Sequence, residues 1–108
     1  MTFKITKNPI FKTRVDVDTP NSRGGHDRSH FFAEFFRTSN AELEELRGLS
    51  QLEVMRRKLA GWDDFVDDEN NPVEFNQENL DALLGVPEAL YGLSQAYWST
   101  VIKAREKN

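Results

Sequence analysis

Cysteine is absent from this 108-residue chain. Its absence excludes disulfides, thiolate nucleophiles and thiolate metal sites, and a chain without these groups suits a reducing compartment. Long hydrophobic runs are also missing. The first residues, Met1 to Lys4, lack the apolar run of a signal peptide, and no stretch approaches the roughly 20 apolar residues that a membrane span requires. We therefore expect a cytoplasmic protein with no membrane partner.

Basic residues are missing from a long part of the chain. No Lys or Arg lies between Lys58 and Lys103, whereas nine Asp and Glu residues do, and the net charge of the whole chain is -4. An acidic surface repels nucleic acid and favours a basic partner. An ordinary solvated surface is the alternative interpretation of the same charge run.

Patterns for catalysis and metal binding are equally scarce. His26 and His30 have an i, i+4 spacing, but glycines precede them and a strand pattern follows, so no helix holds them together. Zinc needs at least three protein ligands, and no third is evident. There is no Gly-x-Ser-x-Gly elbow or phosphate loop, and Arg23-Gly24-Gly25 is too short a match to predict nucleic-acid binding. We expect no enzyme, no cofactor, no metal and no nucleic-acid partner.

The first third of the chain has β patterns. Apolar and polar residues alternate from Phe11 to Val17, and a second, Phe-rich run covers residues 30–37. Residues 18–29 between them are rich in turn formers and longer than a tight hairpin needs, which predicts a mobile loop. We expect one face of the second strand to cover the core and the other to be at least partly covered by a helix or a second subunit. Phe31, Ala33 and Phe35 lie on one face, and Phe32, Glu34 and Phe36 lie on the other.

The rest of the chain has helix signals. Ser39 and Ser50 each have Glu three residues later, which is the capping-box pattern, and Asn76 also suits an N-cap. The predicted helix ends are Gly48, Gly61 and Gly85, and Pro87 suits the first position of a fourth helix that continues to about Arg105. The sequence therefore predicts an α+β fold in one domain, 1–108. A small antiparallel hairpin with a long loop in the β part, 1–37, packs on about four helices in the helical part, 38–108.

Three features of the helical part suggest roles for individual residues. Trp62 follows an apolar helix, and we expect it to be a buried core anchor. On a wheel at about 100° per residue, the fourth helix has two apolar clusters. The first cluster is Leu90, Leu93, Tyr97 and Val101. The second cluster is Tyr91, Trp98 and Ile102. Either its own domain nearly encloses this helix or the second cluster contacts a partner. The third feature is an acidic turn with Asp67, Asp68 and Glu69, which could contribute negative charge to the contact with a partner.

The second half of the chain resembles a known family in several short segments. The matching segments are Leu59-Ala60-Gly61-Trp62, the acidic turn from Asp67 to Val73, Glu74 to Leu80 with Leu83-Leu84, and a Pro followed by a helix that carries Tyr97. These segments resemble the tail assembly chaperones of long-tailed bacteriophages and prophages. The first half, with a strand, a Gly-containing loop and a capped Glu/Leu-rich helix, matches more loosely.

This resemblance implies a non-enzymatic protein of the bacterial host cytoplasm. It would bind the tape-measure protein and help to recruit tail-tube subunits during tail assembly. The residues expected to bind the partner are Tyr91, Trp98 and Ile102, with Asp67, Asp68 and Glu69. A homo-oligomer stays open, and so do two other functions. One is an adaptor or inhibitor that binds a host protein, and the other is a small enzyme that uses surface carboxylates.

Overall fold

The computed structural model describes residues 1–5 and 9–106, with side chains up to Ile102. Its regular elements are β1 (Ile10–Pro20), β2 (His26–Phe36), α1 (Asn40–Arg47), α2 (Gln51–Lys58), β3 (Leu59–Asp63), α3 (Gln77–Leu84) and α4 (Pro87–Glu106). The strands form one antiparallel sheet in the order β1-β2-β3. The predicted α+β fold is therefore confirmed. Within the described residues, no helix is long and apolar enough to cross a lipid bilayer.

The hairpin between β1 and β2 is much tighter than the sequence predicted. The strands stay paired up to Pro20 opposite His26, so the turn comprises only residues 21–25. The Asn21 side chain closes this turn, because its carbonyl oxygen accepts hydrogen bonds from the backbone N–H groups of Arg23 and Gly25, each at 3.0 Å. The expectation of a mobile loop over residues 18–29 is wrong, since most of these residues belong to the two strands.

A third strand occupies residues that the sequence assigned to the helical part. Helix α2 ends at Lys58 instead of Gly61, and the extended backbone of Leu59 begins β3. Gly61 then lies opposite Glu34 on β2, and a Cβ at Gly61 would come 2.9 Å from a Glu34 carboxylate oxygen. The absence of a side chain at Gly61 thus makes room for Glu34 on this face of the sheet.

The helix starts are those that the sequence predicted. Ser39 and Ser50 accept backbone N–H groups three residues later at 3.2 Å, and Asn76 accepts that of Asn79 at 2.8 Å. These bonds satisfy backbone donors that have no partner within the helix. Pro87 begins α4 as expected, because its missing N–H and fixed φ suit a first turn. The three N-caps and the start of α4 are confirmed.

One face of the sheet packs against the helices to form the core. Its members include Val15, Phe31, Ala33 and Phe35 from the strands and Leu46, Val54, Met55, Leu93 and Tyr97 from the helices. On the opposite face Phe32 is half-buried and Phe36 is 42% exposed. The prediction that one face covers the core is confirmed, while the cover of the other face is only partial.

Trp62 lies at the margin of the core instead of inside it. The side chain is half-buried and packs against the ring of Phe65 at 5.0 Å and that of Phe75 at 4.7 Å. Its indole N–H donates to the Val73 carbonyl oxygen at 2.7 Å. These contacts connect the segment from Phe65 to Phe75 to the sheet. Trp62 remains partly accessible to solvent because β3 lies at the edge of the sheet.

Helix α4 approaches the backbone of β1 very closely at Gly92. A Cβ at this position would lie 2.5 Å from the Asp16 carbonyl oxygen and 3.3 Å from a methyl group of Val15. Real Cβ atoms do not come this near to a backbone oxygen. Gly92 therefore permits a contact between helix and strand that any larger residue would push apart.

We expect Gly92→Ala to lower the free energy of unfolding by about 1–3 kcal/mol, the usual effect of overpacking a core. Alanine is otherwise the better helix residue, so a loss would show that the contact with Asp16 outweighs helix propensity. The measurement is urea denaturation followed by circular dichroism. Gly48→Ala is the control, since a Cβ there would lie 3.6 Å from the Glu45 oxygen. Equal stability of the two variants would contradict the close approach of α4 to β1.

A second expected outcome concerns Trp62. We expect Trp62→Ala to lower the free energy of unfolding by about 3 kcal/mol, the low end for a large aromatic side chain, because the ring is only half-buried. Trp62→Phe should lose about 1 kcal/mol, since it keeps most ring contacts but leaves the Val73 carbonyl without its donor. Thermal unfolding of both variants measures the effect. An unchanged melting temperature for Trp62→Ala would refute the role given to this residue.

Candidate partner-binding site

An exposed ridge runs along the outer side of α4. It consists of Pro87, Tyr91 and Gln95, which are four residues apart and therefore lie on one face of the helix. Tyr91 is the most prominent of them, with 67% of its surface exposed. The ridge separates two grooves of different character, and all three of its residues line both of them.

The apolar groove lies on the side of α2 and has a volume of about 480 Å³. Besides the ridge, it is lined by Gln51, Leu90, Ser94 and Trp98. The Trp98 ring packs edge-on against Tyr97 at 5.1 Å, and its N–H donates to the Gln51 side-chain oxygen at 2.8 Å. Because two neighbours hold the ring, Trp98 presents a fixed, half-buried aromatic surface at one end of the groove.

Ser94, which lines the apolar groove, has a buried hydroxyl group without a hydrogen-bond partner among the described residues. The residue is only 9% exposed, its Oγ is buried, and that oxygen has no hydrogen-bond partner in the described part of the chain. A buried polar group without a partner costs about 1–3 kcal/mol. Most buried polar groups in folded proteins are satisfied, so this hydroxyl needs an explanation.

The acidic groove lies on the side of β1 and has a volume of about 620 Å³. Beyond the ridge it is lined by Asp16, Asp18, Arg28, Glu88 and Gly92. Arg28 pairs with Asp18 at 3.0 Å, and this hydrogen bond lowers the pKa of the Asp18 carboxyl. Aspartate and glutamate side chains are ionised at neutral pH in any case, so the three carboxylates of the groove outnumber its one guanidinium.

The carboxylates of the acidic groove differ in their partners. Asp16 accepts from the Arg14 guanidinium at 3.0 Å, and Asp18 accepts from Arg28. Glu88 is half-buried and makes no hydrogen bond or ion pair with any side chain up to Ile102. The groove therefore contains one carboxylate that is available for a cation from outside this part of the chain.

The structure brings only some of the sequence-predicted site residues together. Tyr91 and Trp98 line the same groove, whereas Ile102 lies one turn further on and lines neither groove, although it is 42% exposed. Asp67, Asp68 and Glu69 also line neither groove. They belong to a tight turn in which the Asp67 carboxylate accepts the N–H groups of Glu69 at 2.9 Å and Asn71 at 3.0 Å.

Several lining residues were missed from the sequence. Ser94 has the same four-residue spacing from Leu90 and Trp98 that marks a helix face, so a helical wheel contains the signal for it. Asp16 and Asp18 have no such signal, because β1 is far from α4 in sequence. Their contribution depends on how closely α4 packs against β1.

We expect Ser94→Ala to raise the free energy of unfolding of the unbound protein by about 1 kcal/mol more than Ser99→Ala does, because only Ser94 has a buried hydroxyl without a partner. The exposed Ser99 is a matched control, since both changes bring the same gain in helix propensity. Urea denaturation of the two variants makes the comparison. A Ser94→Ala protein that is less stable than Ser99→Ala would show that the hydroxyl has a stabilising partner.

The two grooves can act by binding, through apolar contact on one side of the ridge and through charge on the other. No protein-family model, no curated protein and no solved structure matches this chain.

Proposed function

We propose that this chain is a tail assembly chaperone of a long-tailed bacteriophage or prophage and acts without catalysis in the host cytoplasm. It binds the tape-measure protein and helps to recruit tail-tube subunits while the tail is built. The resemblance in the second half of the chain supports the family. The apolar groove beside Tyr91 supports a protein-binding role.

The observation that carries the proposal is the pair of aromatic side chains at the apolar groove. Tyr and Trp are the residues most enriched at the energetic centres of protein interfaces. Tyr91 is exposed and accessible to a partner. Trp98 is held by Gln51 and Tyr97, so its side chain has little freedom left to lose when a partner binds. A preorganised aromatic groove of this kind favours a binding function.

The shape of the groove indicates a helical client. Pro87 and Trp98 mark its two ends along α4, and at 1.5 Å per residue this distance is about 16 Å, or three helical turns. Helices bind to such grooves through an apolar face with anchors at i, i+3 or i+4, and i+7. A long helical protein such as a tape measure offers many segments with this pattern.

We expect Tyr91→Ala and Trp98→Ala each to weaken client binding by about 2 kcal/mol or more, which is roughly thirtyfold in affinity. The measurement is a titration with the tape-measure protein of the phage or prophage that encodes this chain. Circular dichroism and thermal unfolding of each variant show whether the fold is intact. Tyr91→Ala is the cleaner test, because Tyr91 is exposed and Trp98 also packs on Tyr97.

Phe36→Ala is the matched control, since Phe36 is an exposed aromatic residue on the opposite face of the sheet. Its binding should equal that of the wild type. If Phe36→Ala weakens binding and Tyr91→Ala does not, the interface lies on the sheet instead. If the wild-type protein does not bind the tape measure at all, the chaperone function is wrong. A gene in an anti-host cluster, and not between the tail-tube and tape-measure genes, would then favour a host-protein adaptor or inhibitor.

A further inference from the structure

We infer that the partner of α4 is an amphipathic helix that straddles the Tyr91 ridge, with apolar side chains in the apolar groove and a Lys or Arg side chain in the acidic groove beside Glu88. The inference deepens the proposed function and uses the same surface. It does not depend on the client being a tape-measure protein.

The geometry of the ridge suits a helix that packs across it. Pro87, Tyr91 and Gln95 form an i, i+4, i+8 row, and such a row fits between two neighbouring rows of side chains on a second helix. One of these partner rows would then lie in the apolar groove and the other in the acidic groove. A partner with two different rows, one apolar and one basic, matches both sides of the ridge at once.

The charge of the acidic groove determines the sign of the second row. The groove contains three carboxylates and a single guanidinium, that of Arg28. Asp16 and Asp18 already accept hydrogen bonds from Arg14 and Arg28, whereas Glu88 has no partner among the described side chains. A basic side chain would therefore form a new ion pair at Glu88, and an acidic one would meet uncompensated negative charge.

The unpartnered hydroxyl of Ser94 is independent support for a ligand on the other side of the ridge. The group is more than nine-tenths buried in the apolar groove and hydrogen-bonds to nothing in the described chain. A partner row that includes one hydroxyl or amide side chain among apolar ones would satisfy it once the Ser94 side chain turns its buried oxygen toward the groove. The free chain bears the cost of this group, and a complex can remove it.

A displayed library of 20-residue helical peptides tests the inference in the absence of the natural client. Each position is Ala, Leu, Lys, Glu, Gln or Ser, and the wild-type protein is the bait. We expect the enriched peptides to have one row of Leu residues that includes a single Ser or Gln, and Lys on an adjacent row. Enrichment of apolar peptides with Glu or no charge on the adjacent row would overturn the inference. A selection in which no peptide is enriched would overturn it as well.

An enriched peptide is then titrated against two matched variants. Glu88→Gln should weaken binding about fivefold at low salt, the upper range for an exposed ion pair. The difference should disappear near 1 M salt, where charges are screened within about 3 Å. Glu78→Gln is the control, because it removes a first-turn carboxylate from α3 just as Glu88→Gln removes one from α4. It should bind the peptide as the wild type does.

A charge exchange separates this inference from the function proposed above. Glu88→Lys should reject the Lys peptide and accept a version with Glu at that position. If the Lys peptide binds Glu88→Lys as well as it binds the wild type, the basic row does not lie at Glu88 and the inference is wrong. Peptide binding that follows these rules while the tape-measure protein fails to bind would refute only the proposed client.

Discussion

The close contact between α4 and β1 at Gly92 is the constraint on which both grooves of the candidate site depend. Because Gly92 has no side chain, the helix lies directly against the Asp16 carbonyl and a methyl group of Val15. This approach brings Asp16 and Asp18 of β1 beside Glu88 of α4, and these residues form the walls of the acidic groove. A wider separation would flatten the groove and disperse its charge. The sheet is thus part of the candidate binding surface, which would otherwise belong to one helix.

The middle of α4 is held in place by Tyr97. Tyr97 is fully buried against Phe35 at 5.2 Å, its hydroxyl hydrogen-bonds to that of Thr38, and burial raises the pKa of this phenol. Next to this contact, the buried Lys58 amine donates to the Arg37 carbonyl at 3.0 Å and to Glu42 at 2.8 Å.

A buried ammonium group is tolerable only when it is paired and hydrogen-bonded. Lys58 meets this condition by joining the end of β2 to α1 and α2. Tyr97 thus connects α4 to the residues that follow β2, and Lys58 connects α2 to the same segment. The Trp98 N–H then joins α4 to α2 directly at Gln51. The orientation of the Trp98 ring is therefore a consequence of the fold and does not depend on a bound partner.

The parts of this fold that could be predicted are those with local causes. Caps at Ser39, Ser50 and Asn76 require only a side chain and the next few backbone N–H groups, so the sequence contains the whole signal. The strand β3 was missed because its residues do not alternate and its pairing with β2 is distant in sequence. The tight turn at Asn21 was missed because turn formers predict a bend but not how far the flanking strands continue.

The candidate site shows the same division between local and distant causes. Tyr91 and Trp98 lie in one groove because a single helix carries them, and helical periodicity is readable from sequence. The acidic side chains beside them belong to β1 and to the first turn of α4. The acidic turn at Asp67 could be recognised as a charge run, but nothing in its composition says which surface it faces. Charge in the sequence predicted a negative surface without predicting its position.

The energetics of the unbound chain give a reason to connect this surface with binding. A sequence adapted only to the stability of the free protein would have Ala at position 94, since a buried hydroxyl without a partner raises the free energy of the folded chain. The exposed ring of Tyr91 lines the same groove as Ser94. A partner that covers Tyr91 and hydrogen-bonds to Ser94 would remove the cost of the hydroxyl and bury the ring in the same complex. The stability that the free chain gives up at this surface then becomes part of the affinity of the complex.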